Sequence, residues 1–157
     1  MNIKNYLPML VLGFLAACDN ASVPEQAVTA ETGFTDVAGI TLEIGKPAPD
    51  FTLQSLKGDS VTLSELRGSK IIMIFYRGHW CPFCVGHLQD IQVMLPALEK
   101  EGYQVLAISP DDASGMQKMA DRMDRPYQFL SDVNLEVTDL YGIRKDADLP
   151  HPAMILL

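Results

Sequence analysis

Phe75-Tyr76-Arg77-Gly78-His79-Trp80-Cys81-Pro82-Phe83-Cys84 follows directly on the apolar run Ile71-Ile72-Met73-Ile74. An apolar run without polar alternation is the pattern of a strand covered on both faces. Downstream, Cys84, Leu88, Ile91, Leu95 and Leu98 recur at spacings of 4, 3, 4 and 3, the period of a helix with one buried stripe, and Gly102 closes it. The stretch is therefore a buried strand turning into a helix, with two thiols in the turn. Pro82 suits the first helical position because it has no N–H to leave unpaired, which puts Cys81 at the N-cap and Cys84 in the first turn. Free N–H groups then meet the Cys81 sulfur and favour its thiolate. Reduced, Cys81 can attack a disulfide, and Cys84, one turn on, can resolve the mixed disulfide. Pro96 is expected to kink the helix.

Around this centre the elements alternate. Asp50-Phe51-Thr52-Leu53 and Val61-Thr62-Leu63 flank a Gly58-Asp59 turn and read as a hairpin. Residues 103–108 read as a strand, 112–123 as a helix, 127–130 as an extended piece, 134–141 as one or two helical turns and 153–157 as an apolar strand. Strands alternating with helices of this length indicate an α/β layer sandwich. Met116, Met119 and Met123 fall on one helix face and read as core packing.

The first residues belong to something else. Lys4 precedes a mostly apolar stretch, 6–17, that contains no acid and is well short of the roughly 20 residues a bilayer-spanning helix needs. It ends in Leu15-Ala16-Ala17-Cys18, which resembles the lipobox of bacterial lipoproteins: residues 1–17 a signal peptide, Cys18 the lipidated first residue. Asp19 resembles the signal that retains such proteins at the inner membrane, facing the periplasm. Residues 18–44 lack sustained periodicity and read as the lipidated cysteine and a flexible tether, with the domain at 45–157.

The chain's 157 residues carry 12 Lys plus Arg against 20 Asp plus Glu, a net charge of −8. Removing residues 1–17 takes away one lysine and no acid, so 11 basic residues face 20 acidic ones, −9. With no basic run, nucleic acid is excluded as a partner. Three cysteines are too few for a disulfide scaffold, and a structural zinc site needs a second pair that is absent once Cys18 is tethered elsewhere.

Gly45-Lys46-Pro47-Ala48-Pro49-Asp50-Phe51-Thr52-Leu53, the Phe75-Tyr76 strand end, Ile108-Ser109-Pro110-Asp111, Phe129-Leu130-Ser131-Asp132 and Tyr141-Gly142-Ile143 together resemble the thioredoxin-fold superfamily. Within it they resemble the peroxiredoxin-like proteins (alkyl hydroperoxide reductase/thiol-specific antioxidant, redoxin), in a subgroup with a Cys-Pro-Phe-Cys dithiol. The resemblance implies a three-layer α/β/α sandwich with a central mixed sheet. That fold continues after its late strand with another strand and a C-terminal helix, so a domain stopping at Leu157 is expected to be C-terminally incomplete, with 153–157 an uncovered apolar edge.

The resemblance also implies a thiol oxidoreductase acting in cell redox homeostasis and antioxidant defence through Cys81 and Cys84, with no metal or organic cofactor. Its partners would be a protein dithiol or disulfide, such as a thioredoxin-like electron donor, or a hydroperoxide. Against the peroxiredoxin pattern Pro-x-x-x-Thr/Ser-x-x-Cys, Cys84 takes the peroxidatic place, Cys81 the Thr/Ser place and Arg77 the Pro place. The family's peroxide-activating Arg is replaced by His151-Pro152-Ala153. Arg77 is the candidate substitute cation, and Pro152 resembles the cis-proline that packs on a thioredoxin dithiol. Trp80 resembles the tryptophan before the thioredoxin cysteines, and His79 and His87 are candidates to tune the thiols or move protons. The strand position of the buried thioredoxin acid is apolar here, around Ile74, so that proton acceptor is expected to be missing. Peroxidase chemistry assigns attack to Cys84, disulfide exchange assigns it to Cys81, and both stay open. A different class, a copper chaperone of this fold, would use Cys81, Cys84 and His151.

Overall fold

The computed structural model describes residues 40–125 and 127–157. The expected signal peptide, Cys18 and most of the tether lie outside the described residues. The tether's last residues are part of the domain: Thr41 Oγ1 donates to the Leu140 carbonyl at 2.7 Å, and Leu42 packs on the core.

The hairpin forms as β1 (Thr52–Ser55) and β2 (Ser60–Thr62), followed by a 3-10 turn at Leu63–Leu66. Then come β3 (Lys70–Phe75), α1 (Pro82–Gln92), α2 (Leu95–Lys100), β4 (Tyr103–Ser109), α3 (Ala113–Ala120), β5 (Gln128–Ser131), α4 (Glu136–Leu140), β6 (Arg144–Asp146), β7 (Leu149–Pro150) and β8 (Ala153–Leu156). The main sheet runs β2-β1-β5-β4-β3-β8. β3, β4 and β5 are parallel neighbours, while β8 runs antiparallel to β3 and β1 antiparallel to β5.

The uninterrupted apolar run of β3 serves two cores. Ile71, Met73 and Phe75 point to one face, with Leu106, Ile108 and Leu130, against Val137 of α4 and the Phe51–Tyr141 aromatic pair. Ile72, Ile74 and Tyr76 point to the other, with Ala107 and Phe129, against Leu88, Ile91, Leu95, Met116 and Met119 of α1 to α3. Alternation at period 2 with both faces covered is the three-layer α/β/α sandwich.

Two local features differ from expectation. Pro96 does more than kink the helix: it sits in the first turn of a separate α2, and the chain breaks at Val93 and Met94. Without an N–H, and with its ring against the carbonyl four residues back, proline cannot carry the ladder across. The β6–β7 hairpin carries no alternating apolar signal and is invisible to periodicity. The apolar edge expected at 153–157 forms as β8: among the described residues it is paired on the β3 side only, and Met154 and Leu156 are exposed.

Candidate active site

α1 begins where the spacing places it. Cys81 is its N-cap in extended conformation, Pro82 is in its first turn, and the Cys84 N–H donates to Cys81 Sγ at 3.4 Å. The Cys84 thiol also donates to Cys81 Sγ, at 2.7 Å. Both cysteines are free and buried, packed in the core cluster with Tyr76 and Leu88. Sulfurs this close need little movement to reach the roughly 2.05 Å of a disulfide. The two thiols are not equivalent. Burial, reinforced by the proton Cys84 shares with Cys81, pushes the Cys84 thiol up to about 11; the Arg77 backbone N–H and guanidinium favour its thiolate and only partly offset this.

The turn before the dithiol is held from the end of β4. Asp111 is buried, its Oδ2 accepts the His79 backbone N–H at 2.8 Å, and His79 Nδ1 donates to its Oδ1 at 2.8 Å. Ser109 Oγ donates to Asp111 Oδ2 at 3.1 Å. The Asp111 carbonyl is fixed in turn by Ser131 Oγ at 2.7 Å. On the outer side Arg122 Nη1 donates to the His79 carbonyl at 2.9 Å, and inside the turn the Cys81 N–H donates to the Gly78 carbonyl at 3.1 Å. Gly78 has no room for a side chain: a Cβ would lie 2.7 Å from Trp80 Nε1 and 3.1 Å from Asp111 Oδ1. Asp111 is thus a buried carboxylate at this site, contributed by the segment just after β4. Its only signal in the sequence is the polar Ser109-Pro110-Asp111 ending a buried strand.

Among the described residues, two buried polar side-chain atoms make no hydrogen bond, the Tyr76 hydroxyl and Arg77 Nε. Ser109 Oγ lies beside the Tyr76 hydroxyl but is engaged with Asp111, donating to its carboxylate and accepting its N–H. Burial, with Asp111 and Cys84 as negative neighbours, pushes the Tyr76 phenol far above the usual tyrosine range.

With this geometry in view, the AhpC/TSA family model matches residues 44–157. The chain belongs to the AhpC/TSA family. A Coxiella burnetii protein assigned as peroxiredoxin bcp is 32% identical over 107 residues, covering 68% of this chain and 71% of the relative. The thiol-disulfide oxidoreductase ResA of Halalkalibacterium halodurans is 29% identical over 114 residues, covering 72% of this chain and 61% of its own. A reduced 2-Cys peroxiredoxin of Plasmodium vivax superposes with a TM-score of 0.68 at 18% identity, covering 74% of this chain and 78% of that one, a likeness of fold. The chain thus spans about two thirds of the length of these curated relatives, and the thioredoxin-like fold is shared.

In this AhpC/TSA chain the remaining candidates divide. Trp80 and Phe83 are exposed on either side of Cys81 and Pro82, His79 is half-buried on Asp111, and His87 is exposed on α1. Pro152 does not match the cis-proline: every described peptide bond is trans, and Pro152 is exposed at the entry to β8. An X–Pro bond favours trans by about 0.5–1 kcal/mol unless packing opposes it, and an exposed ring has no such packing. The copper set is not assembled either. No group of three His, Cys, Asp or Glu among the described residues could hold a metal ion, so His151 does not complete a site with Cys81 and Cys84. His151 is instead tied by its N–H to the Ile143 carbonyl at 2.8 Å.

Proposed function

We propose that this AhpC/TSA chain is a thiol-disulfide oxidoreductase that cycles Cys81 and Cys84 between dithiol and disulfide, with a protein disulfide or dithiol as partner. Cys81 is the attacking thiol and Cys84 the resolving one. The observation that carries this is the direction of the Cys84-to-Cys81 hydrogen bond at the N-cap of α1: Cys81 accepts from a thiol and a backbone N–H, while burial keeps Cys84 protonated. Trp80 and Phe83, both exposed, supply an apolar rim for the partner's backbone. The test is trapping: with an excess of a disulfide-bonded protein, Cys84→Ser is expected to accumulate a mixed disulfide and Cys81→Ser to form none. The reverse pattern would sink the assignment.

A second reading, hydroperoxide reduction by Cys84, is favoured by Arg77, whose backbone N–H and charge act on that thiol and whose Nε is buried without a partner. There Cys84 forms a sulfenic acid that Cys81 resolves. Stopped-flow mixing of Cys81→Ser with hydrogen peroxide separates the readings: fast oxidation of Cys84, abolished by Arg77→Ala, would establish the peroxidase.

The chain is proposed to work at the bacterial inner membrane, facing the periplasm, anchored by a lipid on Cys18 after loss of residues 1–17. Metabolic labelling with an alkyne fatty acid tests this, the label being expected on the parent and absent from Cys18→Ala.

A further inference from the structure

Ile44 is fully exposed on a turn that is fixed to the domain. The Lys46 N–H closes the turn on the Glu43 carbonyl at 3.1 Å, and Gly45, at φ of +80°, takes the left-handed place that follows Ile44. Just before the turn, Thr41 Oγ1 donates to the Leu140 carbonyl and Leu42 packs on the core. One exposed isoleucine means little by itself. Beside this one, however, Lys46 and Arg67 line an open pocket of about 460 Å³ whose walls include Pro47, Leu63, Leu66 and Ile71. Both cations are exposed, and neither is in an ion pair among the described residues. The pocket's carboxylate, Asp50, is turned to the backbone, its Oδ1 accepting the Phe51 and Ser64 N–H groups at 3.0 and 2.8 Å. Glu43 and Glu65 do not line the pocket, so two cations against one carboxylate leave it positive. It lies at the start of β3, while the dithiol follows the end of β3, six strand residues or about 20 Å away.

We infer that this end of the domain is a docking surface for an anionic phospholipid bilayer. Ile44 enters the apolar boundary, Lys46 and Arg67 take lipid phosphates, and the pocket between them seats a headgroup. This rests on the proposed anchoring at Cys18, which also sets the affinity required. A cation near an anionic membrane surface strengthens partition by only about fivefold, so an isoleucine and two cations would hold a freely diffusing protein poorly. On a chain already held by its own lipid, the local concentration of bilayer is in the millimolar range, and contacts this weak suffice to orient the domain. The orientation follows from β3: with its start on the bilayer, Cys81 and its rim of Trp80 and Phe83 face the aqueous side, where a protein partner approaches.

The test uses the full chain expressed with its signal, purified in lipidated form and reconstituted into vesicles whose acyl chains are brominated, a quencher of tryptophan confined to the bilayer. Vesicles of phosphatidylcholine alone are compared with vesicles containing phosphatidylglycerol. In the parent, Trp80 is the sole tryptophan and reports the dithiol end; Ile44→Trp adds a reporter at the turn. Quenching is expected for the added tryptophan in anionic vesicles, with a docked-to-free ratio on the order of tenfold higher than in neutral ones, and no quenching of Trp80 in either. Lys46→Glu with Arg67→Glu, both at exposed positions, is expected to abolish the difference between the two vesicles while Trp80 emission stays unchanged. An unquenched tryptophan at position 44 in protein that floats with the vesicles would overturn the docking and leave the anchor standing. So would quenching of Trp80 in the parent, or quenching at position 44 that is equal in neutral and anionic vesicles. Protein that carries no lipid, or does not float, would instead remove the anchor reading, and the docking with it.

Discussion

Asp111 holds His79 by both backbone and ring, its Oδ2 accepting the His79 N–H and its Oδ1 the Nδ1 hydrogen, each at 2.8 Å. One carboxylate thereby ties the end of β4 to the turn that delivers Cys81 to the N-cap of α1. Its closeness also explains two glycines, Gly78 in that turn and Gly115 in α3, both buried against it.

Gly115→Ala is expected to destabilise the protein. Alanine is normally better than glycine inside a helix by about 1 kcal/mol. Here the new Cβ would fall 2.7 to 2.9 Å from three atoms of the Asp111 side chain, which is fixed by His79 and Ser109 and has little freedom to yield. Overpacking of this kind costs about 1–3 kcal/mol, so the sum is a net loss of up to about 2 kcal/mol. Urea unfolding measures it, and a gain in midpoint would show that Asp111 is free to move.

Gly78→Ala strains the backbone as well as the packing. Gly78 has φ of +146°, a conformation side chains rarely adopt, and its Cβ would meet the indole nitrogen of Trp80. A cost of about 1–3 kcal/mol is expected. Trp80 is the sole tryptophan, so a shift in the protein's tryptophan emission reports displacement of the turn directly.

Stability of the reduced protein should fall with alkalinity in a defined window. The Cys84 thiol is raised from 9.0 to about 11 by burial and by its hydrogen bond to Cys81. A raised pKa means the folded state prefers the proton. That contribution is complete below about pH 9, where both states are protonated, and is lost as pH climbs through about 11. Buried Tyr76, Tyr127 and Tyr141 are raised further, and the stability they contribute is lost from the ordinary tyrosine range upward, overlapping the top of this window. The thiol part is therefore read as the difference between reduced protein and the Cys81–Cys84 disulfide form, whose melting temperature should decline less over this window.

Leu88→Ala tests the floor of the site. Leu88 is fully buried in the cluster that contains both cysteines, and its carbonyl accepts the Tyr127 hydroxyl. Truncation is expected to cost about 2–5 kcal/mol. Alkylation of the two thiols by iodoacetamide should also accelerate, since the cavity opens beneath them.

Much of the fold was legible because it depends on local periodicity. The apolar run of β3 and the Gly58-Asp59 turn each led to the element observed, the 4-3-4-3 stripe after Cys84 led to helix on one buried face, and Pro82 led to the N-cap itself. Pro96 was legible as a perturbation, but its outcome, two helices instead of one bent helix, depended on how Leu95 packs into the core. The β6–β7 hairpin was not legible, since a short polar ribbon leaves no apolar period.

By itself the sequence determined the strand–turn–helix that pairs Cys81 with Cys84, because capping and the missing proline N–H act within a few residues. Only the tertiary structure decided what surrounds the pair. Asp111 and His79 are 32 residues apart along the chain, and parallel pairing of β3 with β4 brings their elements together. Burial, a property of the whole core, raises Cys84. The same long-range packing keeps His151 out of any metal-holding group among the described residues and leaves Pro152 exposed, because the His151–Ile143 hydrogen bond and pairing of β8 with β3 fix that segment from a distance.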